Sequence, residues 1–446
     1  MSMAHKYIFY LFLALLPLNL GKHFISVDSY VRSRLIDYLI PTIWIQDLLI
    51  LLLLFMWLLS GGFKKIKKFR YWRILLVLVF SFLPSLVLAE RQVSAFYFFL
   101  TFCIRLFLFV YVWFEVDLKS ELETFIKIFS FQVCLLCLIA IAQWFHQGSF
   151  FDNYLFFGEQ VYDEKTFNVA RTIINGQQKI PVYSIFRHPN IFGGYLSIIF
   201  IWFVFYVETF VSKIKKSEKR LVVGDEELII SKALFFRSVY FLIMSLCFIG
   251  VTLTFSQFAL VSTSLGILAY FLIKRLGRRG VLLCLFVTFV FVVIGFIAPV
   301  LTNISSELGQ NPSVYRRVNL LYSAYSMVAQ APLWGVGVNN FTVQVPKYVP
   351  ITQVLSFNQP VHNIFVLIFS ENGIFNLLVF LAILFTSLHT LLAQRFGPPV
   401  ILFINLLQII LIGSFDHYFY TIHQTQLLFL LTVGLSLTYT NSNVKT

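Results

Sequence analysis

The chain has 446 residues, of which 59% are hydrophobic and only 12% are charged. Soluble domains average about 45–50% apolar and about 25% charged residues, so the composition excludes an ordinary soluble enzyme and indicates a protein embedded in a lipid bilayer. The formal net charge of +14 does not point to nucleic acid, because the basic residues lie in short loops between apolar runs. Membrane lipids are the expected acidic partners.

Apolar runs long enough to cross a bilayer recur along the whole chain. A spanning helix needs about 20 mostly apolar residues, which predicts about twelve spans. In chain order they are 4–20, 41–59, 74–89, 94–116, 122–145, 190–211, 237–254, 257–273, 281–301, 362–385, 399–415 and 422–440. We therefore predict an all-α polytopic membrane protein with a single transmembrane domain over residues 1–446.

Basic clusters predict the orientation of these spans. The densest clusters follow spans two, six and eight, at 64–70, 213–220 and 274–279. All of them are cytoplasmic if both termini are cytoplasmic, and we expect the protein in the cytoplasmic membrane. Two long extracytoplasmic loops then remain, at 146–189 and 302–361, and the larger one is expected to contain short helices. The polar run 415–424 faces the same outer side.

A histidine stands where the larger loop becomes span ten. His362 follows Pro360, which disfavours helix before it, and a neutral imidazole can accept a proton from a hydroxyl group near neutral pH. Gly373 lies about three helical turns further on, shares the face of His362 and permits close approach of another segment. Glu371 falls on nearly the opposite face and is a poor candidate to orient His362. The alternative is an interfacial histidine bonded to a carbonyl.

Two groups of cations are expected at the outer surface. Arg316 and Arg317 precede a stretch with helical spacing of apolar residues, which predicts an amphipathic surface helix, and arginine can hold phosphate oxygens bidentately. Arg187 and His188 lie just before Pro189, which is well placed as the first residue of span six; Asn190 follows it. The alternatives are anchoring to lipid headgroups and helix capping.

Other features inside the spans have two interpretations each. Arg105 lies in the middle of span four, and an intramembrane charge indicates a functional site by default, but it could instead pair structurally with Asp47 of span two. Cys134 and Cys137 form a Cys-x-x-Cys pair that is more typical of a small apolar helix face than of a metal or redox site.

Several signatures of other chemistry are missing from the sequence. We find no outer Asp-x-Asp or His/Asp cluster for a divalent metal, no phosphate loop and no Gly-x-Ser-x-Gly elbow. We therefore expect no metal site, no cofactor and no nucleotide hydrolysis, so any reaction would use an activated substrate. A secondary transporter is the alternative from another class, although such proteins usually show broken helices in both halves and midplane ionisable residues.

Four motifs occur together in order: His188-Pro189-Asn190; an arginine about fifteen residues before a glycine run, as Arg317 or Arg316; the run Pro-Leu-x-Gly-x-Gly-x-x-x-Phe at 332–341; and His362-Asn363 followed after nine residues by Gly373. With these motifs the chain resembles the O-antigen ligase and polymerase superfamily of membrane glycosyltransferases over about 184–385. One departure is Gln257, where the family usually has an arginine that is thought to hold the lipid diphosphate.

The resemblance implies a GT-C-like protein that moves a glycan from undecaprenyl diphosphate to a hydroxyl of a glycan or lipid-linked acceptor, with inversion and without metal. Arg316 and Arg317 would neutralise the leaving diphosphate, and His362 would assist the acceptor hydroxyl. The substrate-binding candidates are Asn363, Gln257, Arg187, His188, Asn190, Gly335 and Gly337. Ligase and polymerase both remain possible, and the His-Asn-x9-Gly match favours a ligase.

Overall fold

The computed structural model describes residues 4–167, 169–218, 226–304, 312–349, 359–394 and 397–439, and helices dominate them. Seven helical segments among these residues are long and apolar enough to cross a membrane: Ile45–Ile66, Gln92–Glu115, Leu118–His146, Pro189–Thr209, Gln257–Leu276, Arg278–Ile297 and Ile364–Leu392. The chain is therefore an all-α polytopic membrane protein, as predicted. The parts 305–311 and 350–358 of the predicted large loop lie outside the described residues.

The helices are α1 (Ala4–Leu15), α2 (Ile45–Trp57), α3 (Phe63–Ile66), α4 (Trp72–Ser81), α5 (Leu83–Leu88), α6 (Gln92–Glu115), α7 (Leu118–His146), α8 (Pro189–Glu218), α9 (Glu226–Leu253), α10 (Gln257–Leu276), α11 (Arg278–Ile304), α12 (Pro312–Gln330), α13 (Phe341–Gln344), α14 (Ile364–Leu392), α15 (Pro398–Gly413), α16 (Tyr418–Thr421) and α17 (His423–Thr438). A helix coincides with each of the twelve predicted spans, but several are shorter than a full span, so the number twelve stays a prediction.

Within the described ranges, three small antiparallel strand pairs interrupt the helical pattern. They are β1 (Gly21–His23) with β4 (Thr42–Trp44), β2 (Tyr30–Val31) with β3 (Arg34–Leu35), and β5 (Thr172–Ile174) with β6 (Gln177–Lys179). The last pair turns through Asn175 and Gly176, both with positive φ, which is the turn chemistry of a two-residue hairpin. All three lie in connections between helices.

The core of the bundle lies around α17. Every residue from His423 to Leu437 is buried, and α15 and the first half of α8 are buried almost as completely. In contrast, α2 and α11 expose large apolar side chains along their lengths. A helix with an exposed apolar surface is stable in hydrocarbon, where no hydrophobic penalty arises, so α2 and α11 belong to the lipid-facing rim.

The glycine run 332–337 packs against a break in α14. Gly373 has φ 77° and ψ 179°, and its missing Cβ would lie 2.1 Å from the Leu333 carbonyl oxygen. The freed backbone groups are satisfied by the loop, because Gly337 N donates to Glu371 O over 3.0 Å and Ile374 N donates to Pro332 O over 2.9 Å. This confirms that Gly373 permits the close approach of another segment.

The buried charge of α6 is paired. Arg105 donates from Nε and Nη2 to the two carboxylate oxygens of Asp47, each over 2.7 Å, and from Nη1 to Gln426. All three side chains are buried. Of the two interpretations of Arg105, the contacts therefore support a structural pair with Asp47.

Candidate active site

Asn363 fixes the start of α14. Its side-chain oxygen accepts from Phe365 N and Val366 N, over 3.0 and 3.1 Å, as an N-cap does. Its amide nitrogen donates to Ser414 O over 3.1 Å. Since Ser414 directly follows α15, this contact ties the first residue before α14 to the end of α15. His362 directly precedes Asn363, and Asp416 follows Ser414 by two residues. The contact therefore brings His362 and Asp416 close together.

His362 and Asp416 form a hydrogen-bonded pair at this junction. His362 Nδ1 lies 3.2 Å from Asp416 Oδ1, with the side chains 14% and 7% exposed. An ionised carboxylate only accepts hydrogen bonds, so Nδ1 carries the proton and Nε2 is the atom that remains for chemistry. Gln359 Oε1 lies 3.3 Å from Nε2. If the side-chain amide of Gln359 is rotated by 180°, its NH2 group would donate to Nε2 instead. The arrangement holds the imidazole in one tautomer, with the proton on Nδ1.

Several groups keep Asp416 ionised. Burial by itself opposes ionisation, but His362, which hydrogen-bonds to this carboxyl, and the charge of Arg317 outweigh it and hold the pKa of the carboxyl well below its usual range. Asp416 Oδ1 also accepts from His417 N over 2.8 Å, and Asn190 Nδ2 reaches Oδ2 at 3.5 Å. The cluster thus combines one permanent negative charge with residues of α8, α12, α14 and the turn after α15.

Two further histidines surround this carboxylate in neutral form. Burial, against the opposing charge of Asp416, lowers the pKa of His417 to about 3 and that of His188 to about 4. The ring of His417 lies 5.1 Å from that of His362, and its Nδ1 is 2.7 Å from Thr421 Oγ1. At neutral pH these rings can donate or accept hydrogen bonds without adding charge.

Of the two predicted arginines, Arg317 approaches the cluster from α12. The Arg317 guanidinium carbon lies 5.5 Å from the centre of the Phe258 ring, and its charge acts on His188, Asp416 and His417. Within the described part of the chain neither Arg316 nor Arg317 forms an ion pair with a carboxylate. Arg317 therefore supplies positive charge at the cluster that an anionic ligand could neutralise, while the role of Arg316 stays a prediction.

Arg187 flanks the cluster on its other side. Its guanidinium carbon lies 5.4 Å from the ring of Trp44, and its charge acts on Tyr38. Tyr38 makes an edge contact with the ring of His417, 5.4 Å between centroids. Arg187 is thus separated from His417 by one aromatic side chain. The structure brings the predicted residues 187–190 to the same region as His362.

The remaining predicted residues lie in other surroundings. Gln257 is exposed at the first position of α10, directly before Phe258. Gly335 and Gly337 pack against Glu371 and Ala89 instead, with the missing Cβ atoms 2.3 and 2.5 Å from their nearest neighbours. These two glycines hold the loop against the break in α14. Their role in binding substrate stays a prediction.

The expectation that no His/Asp cluster exists was wrong. Potential ligand atoms of His362, Asp416 and His417 lie within 4.8 Å of one another, a spacing that could hold a metal ion. The sequence hides this group, because His362 lies 54 positions before Asp416 and meets it only through the contact of α14 with α15. The nearby charge of Arg317 opposes a divalent cation. Independence from metal stays a prediction.

Asp416 and His417 are the functional candidates that the sequence analysis did not select. The available signal was the polar run 415–424 between two apolar helices, which was assigned only to the outer side. Glu371, in contrast, was correctly set aside as a partner of His362. Its carboxylate accepts from Phe341 N over 3.0 Å and so holds the start of α13.

These observations define a class: a polytopic helical membrane protein with an ionisable, partly exposed cluster at one end of its bundle. Residues 242–381 match the family model described as O-antigen ligase. The match confirms the resemblance to the O-antigen ligase and polymerase superfamily, and it contains Arg316, Arg317 and His362. No curated protein matches the chain. Asp416 lies beyond the matched segment. The match therefore supports a function in polysaccharide biosynthesis in the membrane, of the O-antigen ligase or polymerase type.

Proposed function

We propose that the protein transfers a glycan from undecaprenyl diphosphate to an acceptor hydroxyl at the outer face of the cytoplasmic membrane, with inversion and without metal. The proposal includes twelve spans in a GT-C-like arrangement with both termini in the cytoplasm. The observation that carries it is the His362–Asp416 pair beside Arg317, which has no carboxylate partner among the described residues. General base and leaving-group stabiliser are the two parts that such a transfer needs.

The proposed transfer is a single displacement at the anomeric carbon of the donor glycan. The acceptor oxygen attacks the anomeric carbon while the bond from that carbon to the diphosphate oxygen breaks. The acceptor proton passes to Nε2 of His362, and Asp416 stabilises the imidazolium that forms. The electron pair of the broken bond stays on undecaprenyl diphosphate, whose added charge Arg317 and Arg316 neutralise.

Other predicted residues have supporting roles in this proposal. Gln257 would donate hydrogen bonds to phosphate where the family usually has an arginine, and Arg187 and His188 would supply the missing cationic and donor character. Asn190 and Asn363 position Asp416 and His362 through the contacts described above. A transporter is disfavoured, because the intramembrane charge of Arg105 that would support one is paired.

The decisive test is release of undecaprenyl diphosphate from a lipid-linked glycan by the purified protein, with EDTA present. We expect release by the wild type and losses of roughly 100-fold or more in His362→Ala and Arg317→Ala. His146→Ala and Arg275→Ala, exposed residues away from the cluster, are the matched controls. No release from any donor, with or without an acceptor, would refute the proposal, and release only with added divalent metal would refute its metal-independent form.

The products separate ligase from polymerase. A single glycan attached to a different acceptor supports a ligase. A ladder of lipid-linked products of increasing length supports a polymerase.

A further inference from the structure

The connection between α1 and α2 lies at the end of the bundle that carries the candidate active site. Its two outer strands, β1 and β4, pair with each other. Between them the chain forms the small β2–β3 pair and two 3₁₀ turns, the second at Asp37–Leu39. Tyr38 is the middle residue of this second turn, and its ring makes an edge contact of 5.4 Å with the ring of His417. A segment near the N-terminus therefore belongs to the surroundings of the cluster.

Contacts with the segment between α12 and α14 fix the position of Tyr38. Asn339 Nδ2 donates to Tyr38 O over 2.9 Å. The neighbours of Tyr38 in sequence, Leu39 and Ile36, are buried together with Val343, and Tyr38 packs against this small apolar group. The same segment packs against the break in α14, so the turn and the candidate active site are held by one scaffold.

The Tyr38 hydroxyl is a hydrogen-bond donor without a partner. Burial raises the pKa of Tyr38, while the charge of Arg187 lowers it and that of Asp416 raises it. The net direction is upward, so the phenol keeps its proton at neutral pH. Among the residues that the structure describes, none forms a hydrogen bond with this hydroxyl. Buried tyrosine hydroxyls usually find a partner, which indicates that a ligand supplies it.

The neighbouring cation indicates what kind of ligand this is. Arg187 lies over the ring of Trp44, which stacks on the ring of His423 at 3.6 Å between centroids. In the described ranges the Arg187 guanidinium forms neither an ion pair with a carboxylate nor a hydrogen bond. A phosphate oxygen can accept from Arg187 and Tyr38 together, whereas a sugar hydroxyl would leave the charge of Arg187 uncompensated.

We propose that Tyr38 binds the glycan donor, with its hydroxyl donating a hydrogen bond to a phosphate oxygen of the lipid diphosphate on the side of Arg187. The inference rests on the proposed transfer from a lipid diphosphate and adds a residue from outside the matched segment 242–381. The connection between α1 and α2 is then one wall of the donor site. Its contact helps to hold the leaving group in position for the displacement.

The test measures binding of glycan-free undecaprenyl diphosphate to the purified protein, together with its release from the lipid-linked glycan. Tyr38→Phe removes the hydroxyl and keeps the ring beside His417. We expect it to weaken binding, and to lower kcat/KM for the glycan donor, by roughly tenfold or more, with the KM of the acceptor unchanged. Tyr30→Phe, which changes an exposed tyrosine of the same connection, is the matched control and should leave every value within about twofold of the wild type.

The outcomes separate this inference from the proposed function. Weaker binding by Tyr38→Phe alone, at the thermal stability of the wild type, supports the inference. Equal binding by Tyr38→Phe and the wild type, or a loss confined to the KM of the acceptor, overturns it and leaves the proposed transfer standing. Weaker binding that accompanies lower thermal stability assigns Tyr38 to folding and also overturns it. Wild type that neither binds undecaprenyl diphosphate nor releases it refutes the proposed function and this inference together.

Discussion

Two pairs in this molecule each join a basic side chain to an aspartate, Arg105 to Asp47 and His362 to Asp416. They differ in how much of their hydrogen-bonding capacity is used. Arg105 and Asp47 are buried and joined by two hydrogen bonds of 2.7 Å, and Gln426 Oε1 accepts a further hydrogen bond from Arg105. His362 and Asp416 are joined by one hydrogen bond of 3.2 Å, the His362 side chain is 14% exposed, and its second nitrogen, Nε2, lies 3.3 Å from Gln359 Oε1. In the Arg105–Asp47 pair, the saturated pair, both carboxylate oxygens and three guanidinium N–H groups are used inside the bundle. In the His362–Asp416 pair, the unsaturated pair, Nε2 of His362 remains for chemistry.

The surroundings of the two pairs differ as well. The pair of Arg105 is enclosed by α2, α6 and α17, so its charges compensate each other in a dry environment. The pair of His362 lies at the ends of helices, where Arg317 adds positive charge and loops supply partners. Polar groups in a membrane protein therefore have to be judged by their remaining hydrogen-bonding capacity as well as by their depth.

The largest expected effect is on the saturated pair. Arg105→Ala leaves a buried, unpaired carboxylate at Asp47, which should cost about 3–5 kcal/mol of stability. We expect loss of folded protein, measured by yield in membranes and by thermal unfolding in detergent. The double variant Asp47→Leu with Arg105→Met should recover most of the loss, because it removes both charges. Normal folding of Arg105→Ala would contradict the structural interpretation.

The unsaturated pair should respond in activity instead. Asp416→Asn keeps the shape but removes the charge that orients His362 and stabilises its imidazolium, so kcat should fall about 100-fold with a smaller change in KM. Thermal unfolding at neutral pH should change little by comparison with Arg105→Ala. A loss in KM alone, or a collapse of stability, would assign Asp416 to binding or to folding.

The broken helix α14 offers a test of the scaffold that holds the unsaturated pair. Gly373→Ala introduces a Cβ against the Leu333 carbonyl at a φ of 77°, and we expect a loss of about 1–3 kcal/mol from the dihedral strain alone. Gly176→Ala, at a φ of 78° with open space around it, is the matched control without the clash. Thermal unfolding and protease cleavage within 332–344 are the measurements. Equal losses in the two variants would show that the loop contact contributes nothing.

The smallest effect concerns the pH dependence of stability. The pKa of His417 is lowered by burial to about 3 in the folded protein, while an unfolded histidine titrates near 6.5. The unfolded chain therefore binds more protons between these values, and stability present above about pH 6.5 falls as the pH falls. At about pH 5 the loss should be about 1–2 kcal/mol.

The carboxyl of Asp416 adds nothing in this window, because its pKa is lowered when folded and lies near 3.9 when unfolded. Thermal unfolding at neutral pH and at about pH 5 should therefore show a smaller loss for His417→Gln than for the wild type. The same loss in both proteins would remove His417 as its source.

The sequence by itself determined the class of this protein and much of its site. Runs of about 20 apolar residues require helices in a bilayer, and the helices lie where these runs predict them. The break of α14 at Gly373 was not predicted, but Pro189 begins α8 and Gly373 admits another segment close to α14, as expected. These are local consequences of residue chemistry, so one sequence is enough to predict them.

Only the tertiary structure decided which polar residues meet. Asp416 and His362 belong to different helix ends, and the Asn363–Ser414 contact that joins them has no signature in a hydrophobicity pattern. Pairing across a sequence distance depends on how the helices pack, and apolar lipid-facing sequences place few restrictions on that packing because lipid and protein interior are equally apolar.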